Sequence, residues 1–109
     1  MMANIKDWLE AAEKQFGEQI EAMVVGRHYD RDYEDAKLPD ENVLLSREDG
    51  LAKVDQEYDN GFGGADCFPL YAWSASRIFF IHEYDGATGP AWVPRYPMAI
   101  APEFGGQSL

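Results

Sequence analysis

Apolar residues recur at Ile5, Trp8, Leu9, Ala12 and Phe16, while Lys6, Glu10, Glu13 and Lys14 fill the positions between them. Steps of three and four residues put the first set on one face of a helix and the second opposite. Asn4 is placed to cap this helix, Asp7 lies near the positive end of its dipole, and Gly17 is a natural stop. Trp8 and Phe16 are then expected to pack onto a sheet. From Glu18 the period changes to two. Ile20, Ala22 and Val24 fall on one side, Met23 and Val25 on the other, which predicts a strand over about 19–25 ended by Gly26.

The same two-residue period dominates the later half. Arg77-Ile78-Phe79-Phe80-Ile81-His82-Glu83-Tyr84 is rich in aromatic and β-branched residues and runs into the turn signal Asp85-Gly86. Ile78, Phe80, His82 and Tyr84 share one face; Arg77, Phe79, Ile81 and Glu83 share the other. Both faces are apolar in the middle, which suits a central strand. Leu70–Ser74 is expected to pair with it across the short turn at 74–76. Ala91–Val93 follows beyond Gly86–Gly89 as a short edge strand, because Pro94 and Pro97 cannot donate to a ladder.

Between these halves the pattern weakens. Residues 27–39 show no apolar period and read as a loop that is charged and aromatic at once. Ser46 reads as an N-cap, followed by Glu48 and Asp49, and a second helix is expected over about 47–58 with Leu51, Val54 and Tyr58 on one face. Gly50 weakens that helix by about 1 kcal/mol relative to alanine. Gly61-Phe62-Gly63-Gly64 then turns the chain into the sheet. The order predicts an α+β fold: one domain over 1–100, two helices on one face of a mostly antiparallel sheet of about four strands, ending in a β-meander. Residues 101–109, with Pro102, Gly105 and Gly106, read as a flexible tail.

The length of 109 residues and an apolar content of 46% suit a single folded domain. The lone Cys67 excludes an internal disulfide and fits a reducing compartment. With neither a basic-then-apolar leader nor a long apolar run, the chain reads as cytoplasmic. Charge changes the picture more. Twenty acidic residues against nine basic give a net charge of −11, which repels nucleic acid and anionic membranes. The acids concentrate in residues 28–59, a negative block. Such a block either keeps a face solvated or meets a basic partner, such as a nucleic-acid-processing protein. Tyr29, Asp30, Asp32, Tyr33, Glu34, Asp35, Asp40 and Glu41 are the candidate protein-binding residues, the tyrosines as large contact residues with few rotors.

Catalytic and metal chemistry is less well supported. Asp30-x-Asp32-x-Glu34 with Glu41, and Asp55-x-Glu57-x-Asp59 with Asp66, partly copy a calcium loop, but Asp35 and Asn60 stand where the sharp turn needs glycine. Cys67, His28 and His82 show no zinc spacing. A thiolate at Cys67 has acids for neighbours, which raise a thiol pKa. The glycine loop follows a predicted helix and lacks a lysine, so it is no phosphate cradle. A small enzyme or metal-dependent hydrolase built on Asp59, Asp66, Cys67, His82 and Glu83 stays as an alternative, as does a structural or oligomeric phage component; no cofactor is expected. If Ile78, Phe80, His82 and Tyr84 face the helices, then Tyr71, Trp73 or Trp92, with Arg77 and Arg95 nearby, make an outer aromatic patch.

The segments YDNGFGGADCFPLYAW (Tyr58–Trp73) and YDGATGPAWVPRYP (Tyr84–Pro97) resemble small bacteriophage or prophage proteins of unassigned role. The profile as a whole, short, acidic, single-domain and without catalytic motifs, resembles phage-encoded inhibitors of host defence, including anti-CRISPR proteins. That likeness is of composition, so it assigns no residue a role. It implies a non-enzymatic binding protein that occupies a basic surface of a partner protein.

Overall fold

Asn4 is in extended backbone and its side chain accepts a hydrogen bond from the Lys6 N–H at 2.9 Å, so the first helix begins at its expected cap. The structure is a computed structural model and describes residues 2–28, 36–61 and 63–109. In chain order the elements are β1 (Met2–Asn4), α1 (Ile5–Phe16), β2 (Ala22–Val25), β3 (Leu44–Leu45), α2 (Arg47–Lys53), β4 (Glu57–Asp59), β5 (Leu70–Trp73), β6 (Arg77–Tyr84), β7 (Ala87–Pro94) and β8 (Gln107–Ser108). Two helices and antiparallel sheets make the fold α+β, as expected. The main sheet has six strands rather than about four, in the order β3-β2-β5-β6-β7-β8, and β1 pairs with β4 in a separate ribbon.

Register decides which residues share a face. Met23 stands opposite Leu45 and Ala72, Ala72 opposite Phe79, and Phe79 opposite Trp92. This row faces the helices and is buried together with Ile5, Leu9 and Ala12 of α1 and Leu51 of α2. Phe16 joins it, with ring centroids 6.1 Å from Phe79 and 5.5 Å from Trp92. On β6, then, it is Arg77, Phe79 and Ile81 that turn inward. Ile78, Phe80, His82 and Tyr84 turn outward, the reverse of the arrangement considered from sequence.

Four boundaries differ from expectation, each for a physical reason. The second helix ends at Lys53 with Val54 as its cap, because β1 offers residues 57–59 a strand partner. Tyr58 is still buried, but from a strand in which Glu57 and Asp59 are exposed on either side. β2 starts at Ala22, since the Ile20 N–H is taken by the Glu13 carboxylate at 2.7 Å.

β7 is an eight-residue strand and not a short edge. Asp85 and Gly86, both with positive φ (51° and 83°), make the whole turn, and Ala87 already pairs with Tyr84. Its prolines are tolerated by parity. The Thr88 N–H points away from β6, to the Asn60 carbonyl at 3.0 Å, and Pro90 and Pro94 share that outward parity. Finally, residues 107–108 of the expected tail form a sixth strand on β7, where Ala91 meets Ser108 and Trp92 meets Gln107.

Gly50 acquires a different meaning. It is buried, and a Cβ built there would lie 2.8 Å from Met23 Cβ and 2.5 Å from its Sδ. The missing side chain lets α2 approach β2 closely. Helix propensity alone favours Gly50→Ala by about 1 kcal/mol. The contact with a β-carbon, which cannot swing aside, reverses the sign, and we expect a loss of about 1–3 kcal/mol in chemical denaturation.

Candidate functional site

Two register rows cross the outer face of the sheet. One runs Leu44–Val24–Tyr71–Phe80–Ala91, the other Ala22–Trp73–Ile78–Val93. Neither row contains a charged side chain, in a chain that is 27% charged. An antiparallel sheet with one solvated face ordinarily alternates apolar-in and polar-out. Here the outward positions are apolar too, and Tyr71 is 56% and Leu44 72% exposed. A concavity of about 330 Å³ opens between Val24, Gly26, Asn42, Pro69, Tyr71 and Phe80.

The segment after β7 covers part of this face. A Cβ at Gly105 would sit 2.4 Å from the His82 ring, and one at Gly106 would sit 2.6 Å from the Phe80 ring, so backbone lies directly on both. Phe104, just before them, is fully exposed. The outer patch expected from sequence required Ile78 and Phe80 to face the helices; instead Tyr71 and Trp73 lie outward beside Phe80 and Ile78, whereas Trp92 and Arg77 belong to the inner side. Leu44 and Val24 complete the patch and were not singled out from sequence.

A polar knot fixes the hairpin that carries the patch. Glu18 accepts hydrogen bonds from the Ser74 hydroxyl at 2.7 Å, the Ser76 N–H at 3.1 Å and the Ser76 hydroxyl, and pairs with Arg77 Nη1 at 2.8 Å. The Arg77 guanidinium lies 3.9 Å from the Phe16 ring centroid and 4.7 Å from that of Trp92. Hydrogen bonding from Ser76, then Ser74 and the charge of Arg77, outweighs desolvation and holds the Glu18 carboxyl down to about 2. A second knot joins the helices: Arg47 donates to Glu13 through Nε (2.8 Å) and Nη2 (2.7 Å). The Arg47 hydrogen bonds hold the Glu13 carboxyl below its usual range.

Cations elsewhere are also engaged within the chain. Lys6 pairs with Asp55, Arg27 with Glu41, Lys53 with Asp40 and Arg95 with Glu21. Asp7, Glu48, Asp49, Glu57 and Asp59 are exposed on the helices and the ribbon. The surface thus keeps an excess of carboxylate, and most described lysines and arginines already hold one.

Of the residues singled out for partner binding, Tyr29, Asp30, Asp32, Tyr33, Glu34 and Asp35 lie outside the described residues. Asp40 is half-exposed and 2.9 Å from Lys53 Nζ. Glu41 is only 2% exposed and 3.6 Å from Arg27 Nη2, so burial withdraws it from any contact surface.

The hydrolase set is not assembled by these interactions. The Cys67 thiol is buried among Tyr58 and Thr88, and burial pushes its pKa up. Tyr58 Oη and Thr88 Oγ1 share a hydrogen bond of 2.8 Å. Asp66 is 3.7 Å from His28, Glu83 accepts from the Gly86 N–H, Asp59 accepts from the Gly61 N–H, and His82 lies under Gly105. Of the second calcium-like set, Asp55 is held by Asn4 and Lys6. Among the described residues, no group of three or more His, Cys, Asp or Glu is placed to hold a metal. No described helix is long and apolar enough to cross a membrane.

Comparisons with protein-family models, curated proteins and solved structures find no match.

The Glu18 knot has a pH signature. A carboxyl lowered from 4.5 to about 2 adds stability above the unfolded value that is lost as pH falls through that window. Glu18→Gln should lower stability at neutral pH by about 2 kcal/mol and flatten the acid limb below pH ~4.5. Urea titrations at several pH values measure both effects. An unchanged acid limb would show that Glu18 is not held as described.

Proposed function

We propose that this chain is a non-enzymatic, acidic binding protein that occupies a basic surface of a partner protein. A nucleic-acid-processing partner fits best, and the role is that of a phage-encoded inhibitor of host defence, anti-CRISPR-like in kind. The observation that carries the reading is the charge arrangement. A net charge of −11 is joined to a surface whose described cations are largely engaged by the chain's own carboxylates. Such a surface repels phosphate and attracts the basic groove that phosphate would otherwise fill. Competition of this kind needs no catalytic residue, and the buried, pKa-raised Cys67 offers a poor nucleophile.

Charge steering makes the association salt-sensitive. Affinity for a basic partner captured from bacterial lysate should fall about tenfold or more between low and high salt as screening sets in. Reversing Asp30, Asp32, Glu34 and Asp35 to lysine should remove most of it with the fold intact. Asp40 and Glu41 are left unchanged, because a lysine there would face Lys53 or Arg27 at an ion pair with one side largely buried. Calorimetry or biolayer interferometry gives the affinities and circular dichroism checks the fold. Equal affinity for the reversed variant, or indifference to salt, would contradict the reading.

A further inference from the structure

The outer sheet face raises a question that charge does not answer: why no described segment of this acidic chain covers Leu44, Tyr71 and the concavity between Val24, Pro69 and Phe80. The chain does have a way of covering this side, since its segment at Gly105 and Gly106 lies on His82 and Phe80. Among the described residues that cover stops short of the β2–β5 half. What stays bare is apolar, without charge in either register row, and concave.

We infer that this half of the outer face is the anchor site for the basic partner, and that it takes an apolar side chain flanked by lysine or arginine. The inference rests on the proposed binding function and names what that partner inserts. Two arguments select this occupant over a second copy of the chain. The first is area. Strands about 4.8 Å apart, with outward residues about 6.6 Å apart, give the two rows a patch on the order of 300 Å². Two copies packed face to face would bury roughly twice that, well under the ~1,200 Å² at which specific, stable interfaces begin. Further contact has to come from beyond the patch.

The second argument is charge. The chain carries a net charge of −11, and Glu21 and Asp40 keep about half of their side-chain surface exposed in their ion pairs. A second copy would bring a second large negative charge against the first. A cationic partner would bring lysine or arginine instead. The concavity of about 330 Å³ suits one large apolar side chain, and Tyr71 at its rim is the kind of rigid aromatic that dominates interface energies.

The test uses labelled synthetic peptides as probes: lysine- and arginine-rich with a central tryptophan, the same with a central serine, and an uncharged peptide with the tryptophan. Fluorescence anisotropy reads binding to the full chain and to Tyr71→Ser and Leu44→Ser. Both sites are exposed, so folding is not at risk. The expected result is that the cationic tryptophan peptide binds about tenfold more tightly than the serine peptide, and that either substitution removes this advantage.

Equal binding of the two cationic peptides, unaffected by Tyr71→Ser, would overturn the anchor while leaving the acidic-surface reading in place. Equal binding of the uncharged tryptophan peptide would overturn the cationic occupant and, with it, that reading. Binding of no peptide would overturn the anchor as well. Sedimentation showing a dimer that Tyr71→Ser dissociates would assign the face to a second copy and overturn the inference.

Discussion

Arg77 is the residue on which the arrangement depends. Its guanidinium packs against the rings of Phe16 of α1 and Trp92 of β7 and is tied to Glu18 at the exit of the first helix. A partly buried cation is expensive unless its hydrogen bonds and countercharge are in place. Here the countercharge and a bond to Nη1 come from a carboxylate that also holds the Ser74–Ser76 turn, while Nε is buried without a hydrogen-bond partner, so one side chain joins helix, hairpin and sheet at a cost. Cation–π contact adds what a purely ionic pair lacks, and its geometry suits the planar guanidinium better than a lysine. The turn beside Arg77 connects β5 and β6, the strands that carry Tyr71, Trp73, Ile78 and Phe80. An interaction on the helix side of the sheet thereby holds the turn that joins the strands of its outer side.

The molecule divides its chemistry between two surfaces. Helices and ribbon display carboxylates at Asp7, Glu48, Asp49, Glu57 and Asp59. The outer sheet face displays aromatic and aliphatic groups with no charge in its two central rows. Long-range charge governs how quickly a partner arrives, and close apolar packing governs how slowly it leaves. Both ingredients are present on one small chain, arranged so that neither must be desolvated against the other.

Legibility in the sequence followed locality. The first helix could be read because its cap, its period and its glycine stop all lie within its own residues. The β6 strand could be read for the same reason. The second helix was overextended because Tyr58 stands four residues after Val54, a helical spacing, while the force that pulls it into a strand comes from Met2–Asn4 far away in the chain. β8 has only two residues and no local signal at all. Apolar residues at both parities in β6 announced burial without saying which parity faced the helices; that choice belongs to Phe16, Arg77 and Trp92 acting together. The Glu18–Arg77 pair spans 59 positions, and no motif marks it. In the acidic segment, composition showed charge but could not reveal that Glu41 folds inward onto Arg27.

The central claim is that the outer sheet face and the acidic surface act together on one partner. Hydroxyl-radical footprinting of side chains, with the protein free and bound to a basic partner of the proposed kind, tests this most directly. Protection on binding at Tyr71, Leu44 and Trp73, with buried Tyr58 unreactive in both states, is the expected result. Tyr71 and Leu44 remaining fully reactive in the complex would contradict the account, because the partner would then be held without the face that the fold leaves bare.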